Sequence, residues 1–178
     1  MPPPQVQDPT AAEMAYLERS RAWAADEGAY AEVHRTKPQS LAPALNDSPA
    51  GLAGWLLDKY RTWSDCDGDL ESRWSKDDLL AIISVHWFTA DIGSSIRAYY
   101  ERVHHDRVRP GLRLQVPTGV AMPRDDPRFP SRRAPEEMVR RSHDLQHWVD
   151  LPKGGHFASW EEPELVAASI RAFFAGRA

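Results

Sequence analysis

Several features that assign a chain quickly to a class are scarce here. The sequence holds one cysteine among 178 residues, so no internal disulfide can form. No apolar run approaches the roughly 20 residues that a membrane span needs. The opening residues, Met-Pro-Pro-Pro-Gln, have neither the basic nor the apolar segment of a secretory signal peptide. We therefore expect a cytoplasmic location and no membrane span.

Strong net charge and metal-ligand spacings are also missing. A formal charge of −4 gives no reason to expect nucleic acid as a partner. Histidines occur in two groups, His104-His105 and His143 with His147, but adjacent side chains on a helix diverge and strand residues four apart lie far from one another. We therefore predict no metal and no cofactor. Cys66 stands between aspartates, which disfavour a thiolate, so a structural role is expected.

What is present is enough apolar sequence for one domain and a clear order of helices. At 42% hydrophobic residues, the chain can bury a sizeable core. Helices are predicted over Ala11 to Glu27, from Ser48-Pro49 onward, and from Ser75, which with Asp78 three residues later resembles a capping box. The last of these is expected to break near Gly93, with a further helix over Ser94 to Arg102. Residues 34–47 contain two prolines and are predicted to be a connection with at most one short helix.

Strands are predicted only after Pro110. Leu112 to Gly119 alternates as a strand does, and Leu145 to Leu151 supplies a second one, each followed by a helix. Two parallel strands do not make a complete sheet, because parallel strands need cover on both faces. We therefore expect an α/β fold seen in part, with a mostly helical region over 1–105 and the end of a sheet domain over 106–178. The arginine pairs Arg132-Arg133 and Arg140-Arg141 are expected on solvated surface.

A glycine turn with a histidine follows the second strand. In Lys153-Gly-Gly-His-Phe-Ala158 the glycines permit a sharp turn close to the imidazole of His156. A histidine at the carboxyl edge of a parallel sheet can titrate near neutral pH and act as a general base. A base requires a nucleophile, and the chain contains no Gly-x-Ser-x-Gly segment that would supply a serine.

With these elements placed, the chain resembles the C-terminal half of a microsomal-type epoxide hydrolase, an α/β-hydrolase with a helical cap. The matching stretches follow the family's order along nearly the whole chain: Ala29-Tyr30, Thr36-Lys-Pro-Gln39, Leu45-Asn-Asp-Ser-Pro-Ala-Gly-Leu-Ala53, Trp63-Ser-Asp-Cys-Asp-Gly68, Ser94-Ser-Ile-Arg-Ala-Tyr99, Val116-Pro-Thr-Gly119 and Gly154-Gly-His-Phe-Ala158. The resemblance implies a partial α/β-hydrolase fold, consisting of the cap followed by the last two parallel strands and the C-terminal helices.

The resemblance also implies roles for particular residues. Tyr30 and Tyr99 would be the two cap tyrosines that donate hydrogen bonds to the epoxide oxygen, with Tyr100 the less favoured neighbour. His156 would be the base that activates water against an aspartyl ester. The carboxylate that orients it is expected after the first strand, where we choose Asp125, with Asp126 as the alternative. The substrate would be a small apolar epoxide.

The chain departs from the family in one respect. The family's nucleophile lies in a Gly-Gly-Asp-Trp-Gly segment, after a His-Gly-x-Pro segment, and neither is present in these 178 residues. We therefore expect a C-terminal fragment that is inactive alone. A non-catalytic remnant, or a module that binds a ligand or a partner chain, is one alternative. A related cap-bearing hydrolase such as a dehalogenase, which also uses aspartate and histidine, is another.

Overall fold

The computed structural model describes residues 7–105, 112–123 and 133–176. The described chain divides into two compact units. The first consists of residues 24–62 and 66–105, and the second of residues 7–23, 63–65, 112–123 and 133–176. The predicted domain boundary between residues 105 and 106 falls at the edge of a stretch outside the described residues and stays a prediction.

The first unit is helical. Its elements are α2 (Ala29–Thr36), α3 (Pro38–Asp47), α4 (Pro49–Trp63), a 3₁₀ turn (Leu70–Ser72), α5 (Lys76–Thr89) and α6 (Ile92–His104). The core of this unit is formed by apolar side chains from four of these helices: Ala42, Leu45, Leu52, Ile83, Ile92 and Ile96. Leu52 has no exposed surface, so α4 presents at least this apolar side chain to the core.

The predicted helix starts are confirmed by their caps. Ser48 Oγ accepts a hydrogen bond of 3.0 Å from the backbone N–H of Gly51 at the start of α4. Ser75 and Asp78 form both bonds of the capping box at the start of α5. Each satisfies backbone N–H groups that the first turn of a helix leaves without a partner.

One prediction about this region is wrong. Residues 34–47 are largely helical, because Pro38 occupies the first turn of α3, where proline is tolerated, and Pro43 lies beside Ala42 and Leu45, which are buried in the core. The predicted break near Gly93 and the further helix after it are confirmed: the break falls at Ala90, with φ of +51°, and Gly93 lies in the first turn of α6.

The second unit is built on a two-stranded parallel sheet. It contains most of α1 (Ala11–Glu27), followed by β1 (Leu114–Met122), α7 (Glu136–Ser142), β2 (His143–Asp150), α8 (Ala158–Glu161) and α9 (Pro163–Phe174). Val120 pairs with Trp148 and Met122 with Asp150 in the parallel register. Strand, helix and parallel strand in this order confirm the predicted α/β class and the predicted two parallel strands.

The strand β1 ends three residues later than predicted. It was expected to stop at Gly119 but continues to Met122. Gly119 therefore lies inside the strand. A glycine is suited to this position because α9 packs closely against it, and a Cβ here would stand 2.8 Å from Cδ2 of Phe173. A glycine within a strand often marks such a close approach.

Arg141 was expected to lie on solvated surface, but its side chain also forms an ion pair with a buried residue. Its guanidinium binds Glu13, a residue of α1 with no exposed surface, through N–H···O bonds of 2.7 and 2.9 Å. The Arg141 hydrogen bond is the main reason that the pKa of Glu13 lies below its usual value. The ion pair therefore ties α1 to the end of α7.

Among the described residues, no single helix has the length and apolar composition to cross a membrane. Taken together, α5 and α6 meet those two criteria, but they are bent by 84° at the break between them.

Candidate functional site

Tyr30 and Tyr99 lie side by side in the first unit. Tyr30 is the second residue of α2, and Tyr99 lies in the second half of α6, which packs against α2. Their rings meet edge to face with 6.2 Å between centroids. The structure therefore brings together two of the predicted site residues. Tyr100 turns away and stacks on the ring of His104, with 4.0 Å between centroids.

The environment of this pair keeps a phenol protonated. Burial raises the pKa of Tyr30 well above its ordinary value, and the neighbouring Tyr99 raises it further through its charge. Tyr99 is exposed over 37% of its surface, so one phenol of the pair is open to solvent. Each phenol has one O–H donor, so the pair places two donors in the same part of the first unit.

His34 is a third polar ring in this cluster, and it was missed by the sequence reasoning. Its centroid lies 4.9 Å from that of Tyr99 and 5.6 Å from that of Tyr30. The residue is 6% exposed, and neither ring nitrogen has a hydrogen-bond partner among the described residues. Burial, and then the charge of Lys59, lower the pKa of His34. The spacing of four residues from Tyr30, one helical turn, was the signal that could have found it.

The predicted base lies on a tightly constrained loop of the second unit. Gly154 has φ of +97°, in the region that favours glycine. A Cβ on Gly155 would stand 2.5 Å from the carbonyl oxygen of Trp63 and 2.6 Å from the backbone nitrogen of Asp65. Both glycines of the Gly-Gly-His segment are therefore required by the backbone.

His156 itself is exposed, between two aromatic rings. Its backbone N–H donates to the carbonyl oxygen of Trp63 at 2.8 Å. Its imidazole centroid lies 5.1 Å from the ring of Trp63 and 5.0 Å from that of Phe157. A solvent-accessible imidazole held between aromatic neighbours is suited to take a proton from a bound water molecule.

Glu161 organises this loop, and the sequence reasoning gave it no role. Its buried carboxylate accepts hydrogen bonds from the backbone N–H groups of Asp65 at 2.7 Å, Gly155 at 3.0 Å and Phe157 at 3.1 Å. Asp65, also buried, accepts a further bond of 3.0 Å from the N–H of Gly154. The contacts with Gly155 and Phe157 are local, whereas those that involve Asp65 join residues 89 and 96 positions apart, which no local pattern could have revealed.

The acidic residue of the predicted set cannot be placed. Asp125 and Asp126 lie outside the described residues, so the choice between them stays a prediction. The end of β1 is described: Met122 accepts a hydrogen bond of 2.8 Å from the N–H of Leu151, just after β2. The carboxyl ends of parallel strands meet at one edge of a sheet, and this is where α/β folds carry their sites. The acid expected after β1 and the base found after β2 therefore follow adjacent strand ends.

The histidines considered as metal ligands have other partners. His104 Nδ1 lies 2.9 Å from the carbonyl oxygen of Tyr100, and His147 Nε2 lies 3.1 Å from Ser169 Oγ. Within the described parts of the chain, no group of three or more His, Cys, Asp or Glu side chains is arranged to hold a metal ion. Cys66 is buried, with Sγ 3.3 Å from the carbonyl oxygen of Arg61.

Comparison with known sequences finds epoxide hydrolases. The chain is 38% identical over 159 residues to epoxide hydrolase 1 of Sus scrofa, covering 83% of this chain and 34% of the relative. It is 36% identical over 159 residues to a putative epoxide hydrolase of Stigmatella aurantiaca, covering 89% and 35%. The chain thus spans about a third of the length of the curated relatives it matches. No family model matches.

Solved structures give the same result. Juvenile hormone epoxide hydrolase of the silkworm Bombyx mori superposes with a TM-score of 0.79 at 28% identity, over 97% of this chain and 43% of that chain. An enantioselective mutant of the Aspergillus niger epoxide hydrolase superposes with a TM-score of 0.75 at 27% identity, over 98% and 43%.

Proposed function

This chain belongs to the epoxide hydrolases and has a partial α/β-hydrolase fold, and from that premise we propose that it supplies the proton donors and the general base for converting a small apolar epoxide into a vicinal diol. In this proposal an aspartate nucleophile from outside these 178 residues attacks one ring carbon. An aspartyl ester forms, and a water molecule then hydrolyses it.

The observation that carries the proposal is the pairing of Tyr30 with Tyr99. Opening an epoxide breaks a carbon–oxygen bond and leaves an alkoxide, which needs a proton and stabilising hydrogen bonds. Phenols can give both at neutral pH only while they remain protonated. Phenols ordinarily have a pKa of about 10 and so keep their proton at neutral pH, and the rings of Tyr30 and Tyr99 lie together, with 6.2 Å between their centroids.

The histidine loop supports the second step. Hydrolysis of the ester requires a base that removes a proton from water as the water oxygen attacks the carbonyl carbon. The ester bond then breaks, releasing the diol and restoring the carboxylate, and the proton taken by the imidazole returns through solvent to the phenolate that ring opening left. His156 is exposed on a rigid loop after β2, and Asp125 is proposed to orient its imidazole and stabilise the charge that forms on it.

The nucleophile is the part that the 178 residues do not contain, so we propose that residues 1–178 alone do not hydrolyse epoxides. The test is to complete the chain by fusing it to the part of the Stigmatella aurantiaca relative that precedes the matching region. With styrene oxide as probe, the fusion is expected to form diol and residues 1–178 alone are not.

Substitutions in the fusion then test the assignment. Tyr30→Phe and Tyr99→Phe each remove one donor and are expected to slow ring opening about 100-fold. Tyr100→Phe is the matched control, since this neighbour stacks on His104, and should retain activity. Diol formation by the Tyr30→Phe/Tyr99→Phe double variant at the parent rate would refute the tyrosine roles. Turnover of a chloroalkane but not of the epoxide would favour the dehalogenase alternative.

A further inference from the structure

Two buried carboxylates bind the loop that carries His156: Asp65 accepts from Gly154, and Glu161 accepts from both neighbours of the histidine. We propose that Glu161 is a positioning residue for His156: it binds the backbone on both sides of the histidine and so fixes where the imidazole lies. The proposal concerns the geometry of the loop, and its catalytic meaning rests on the proposed function.

Both carboxylate oxygens of Glu161 take part. Oε2 accepts from the N–H of Gly155 at 3.0 Å, and Oε1 accepts from the N–H of Phe157 at 3.1 Å. These residues flank His156 directly, so the carboxylate is hydrogen-bonded to the backbone immediately before and immediately after the base. Bonds from backbone N–H groups to an ionised carboxylate are stronger than neutral ones.

The same carboxylate joins the loop to a distant segment. Oε2 also accepts from the N–H of Asp65 at 2.7 Å, and the N–H of His156 donates to Trp63 at 2.8 Å. The N–H of Gly154 donates to Asp65. All four backbone N–H groups from residue 154 to residue 157 therefore have an acceptor within the second unit, and a shift of the loop would break these bonds.

The packing leaves little room for the loop to shift. Besides its contacts with Trp63 and Asp65, a Cβ on Gly155 would stand 2.7 Å from Glu161 Oε1. Once the backbone is fixed, the ring of His156 is confined by Trp63 and Phe157, whose centroids lie 5.1 and 5.0 Å away. Glu161 therefore acts through the loop, without contacting a reacting group.

Replacing Glu161 with glutamine removes the negative charge of the side chain while nearly keeping its shape. Glutamine has nearly the same size but only one acceptor oxygen, and its NH₂ group would face a backbone N–H that now lacks an acceptor. Glu161→Gln should thus free at least one flank of His156 while leaving the sheet in place. Glu164→Gln is the matched control, because it removes one carboxylate from the exposed first turn of α9.

The test is NMR spectroscopy of the 178-residue chain, which needs no substrate. In Glu161→Gln, amide hydrogen exchange at Gly155 or Phe157 should accelerate at least about 10-fold, as expected for the loss of one charge-assisted bond. The ring signals of His156 should broaden or double, while those of His147 on β2 stay unchanged. Unchanged His156 signals, or an equal loss of protection along β2, would overturn the proposal.

A second measurement covers the case in which Glu161→Gln does not fold. Scalar couplings across hydrogen bonds, measured in the unaltered chain, should connect the carboxyl carbon of Glu161 to the amide nitrogens of Gly155 and Phe157. Absence of these couplings would refute the proposed hydrogen bonds between Glu161 and the two residues that flank His156. Because neither measurement involves an epoxide, failure of the completed protein to form diol would leave both results standing and would count against the proposed function alone.

Discussion

The imidazole of His34 meets the ring of Tyr99 edge to face, with 4.9 Å between centroids, and forms no hydrogen bond with any described residue. A buried imidazole in this setting is neutral, since burial and the charge of Lys59 both oppose protonation and lower its pKa. Protonation of His34 should therefore be unfavourable in the folded chain.

Stability should consequently decrease on the acid side of neutrality. Because the pKa of His34 is lower in the folded chain than its ordinary 6.5, the unfolded chain binds this proton more tightly. The resulting loss begins as the pH falls below about 6.5 and ends once the pH has passed the folded value, with a slope of at most about 1.4 kcal/mol per pH unit. Urea unfolding between pH 8 and 5 measures it.

Substitution isolates the contribution of His34. His34→Phe keeps a ring of similar size and removes the titrating group, so the difference in pH dependence between this variant and the parent chain is the contribution of His34. His105→Gln, which removes an exposed imidazole from the same unit, should retain the parent slope. If His34→Phe keeps the pH dependence of stability seen in the parent chain, that dependence does not arise from His34.

The elements that the sequence predicted well are those determined locally. The starts of α4 and α5 follow from a hydroxyl cap and a capping box, and the histidine loop follows from two adjacent glycines. The helix α3 was missed because two prolines outweighed its apolar pattern. Pro43 is tolerated there because the neighbouring Ala42 and Leu45 are buried in the core, a tertiary effect that no local pattern contains.

The site shows the same division. Tyr30, Tyr99 and His156 were chosen through short motifs, and their roles stay predictions. Glu161 was not chosen, because no sequence motif shows that its carboxylate accepts from Gly155, Phe157 and the distant Asp65. His34 stands one turn from Tyr30, but its burial becomes visible only once α6 brings Tyr99 against it. Contacts of this kind arise from the fold and have no signature of their own.

A methyl group at Gly155 should be costly where one at Gly54 is not. Gly155→Ala would press its Cβ to within 2.5 to 2.7 Å of Trp63, Asp65 and Glu161, whereas Gly54 has nothing within 4 Å. We expect Gly155→Ala to destabilise the chain by about 2 kcal/mol or more, and Gly54→Ala, in the middle of α4, to stabilise it by about 0.5–1 kcal/mol. Denaturant unfolding compares them, and equal effects would contradict the close packing of the histidine loop.

Arg141→Met should lower the thermal midpoint by about 5 °C or more. It would leave Glu13, which has no exposed surface, as a buried carboxylate without its cation. Arg97→Met is the control: it breaks an exposed pair with Glu101 at 3.8 Å, and such pairs contribute little. If the two variants melt within about 1 °C of each other, the Glu13–Arg141 pair does not hold α1 in place.

The tyrosines and the histidine should act at different steps: Tyr30 and Tyr99 in opening the epoxide, and His156 in hydrolysing the ester. In the completed protein, His156→Gln removes the base for ester hydrolysis but leaves both phenols, so the epoxide should open and the ester should accumulate to about one per molecule. Tyr30→Phe should slow ester formation and show no accumulation. Mass spectrometry of the acid-quenched protein detects the adduct directly. His147→Gln, on β2 with its own partner in Ser169, should behave as the parent does. An ester that accumulates in Tyr30→Phe but not in His156→Gln would reverse the proposed roles, because the tyrosine would then be needed for the second step and the histidine for the first.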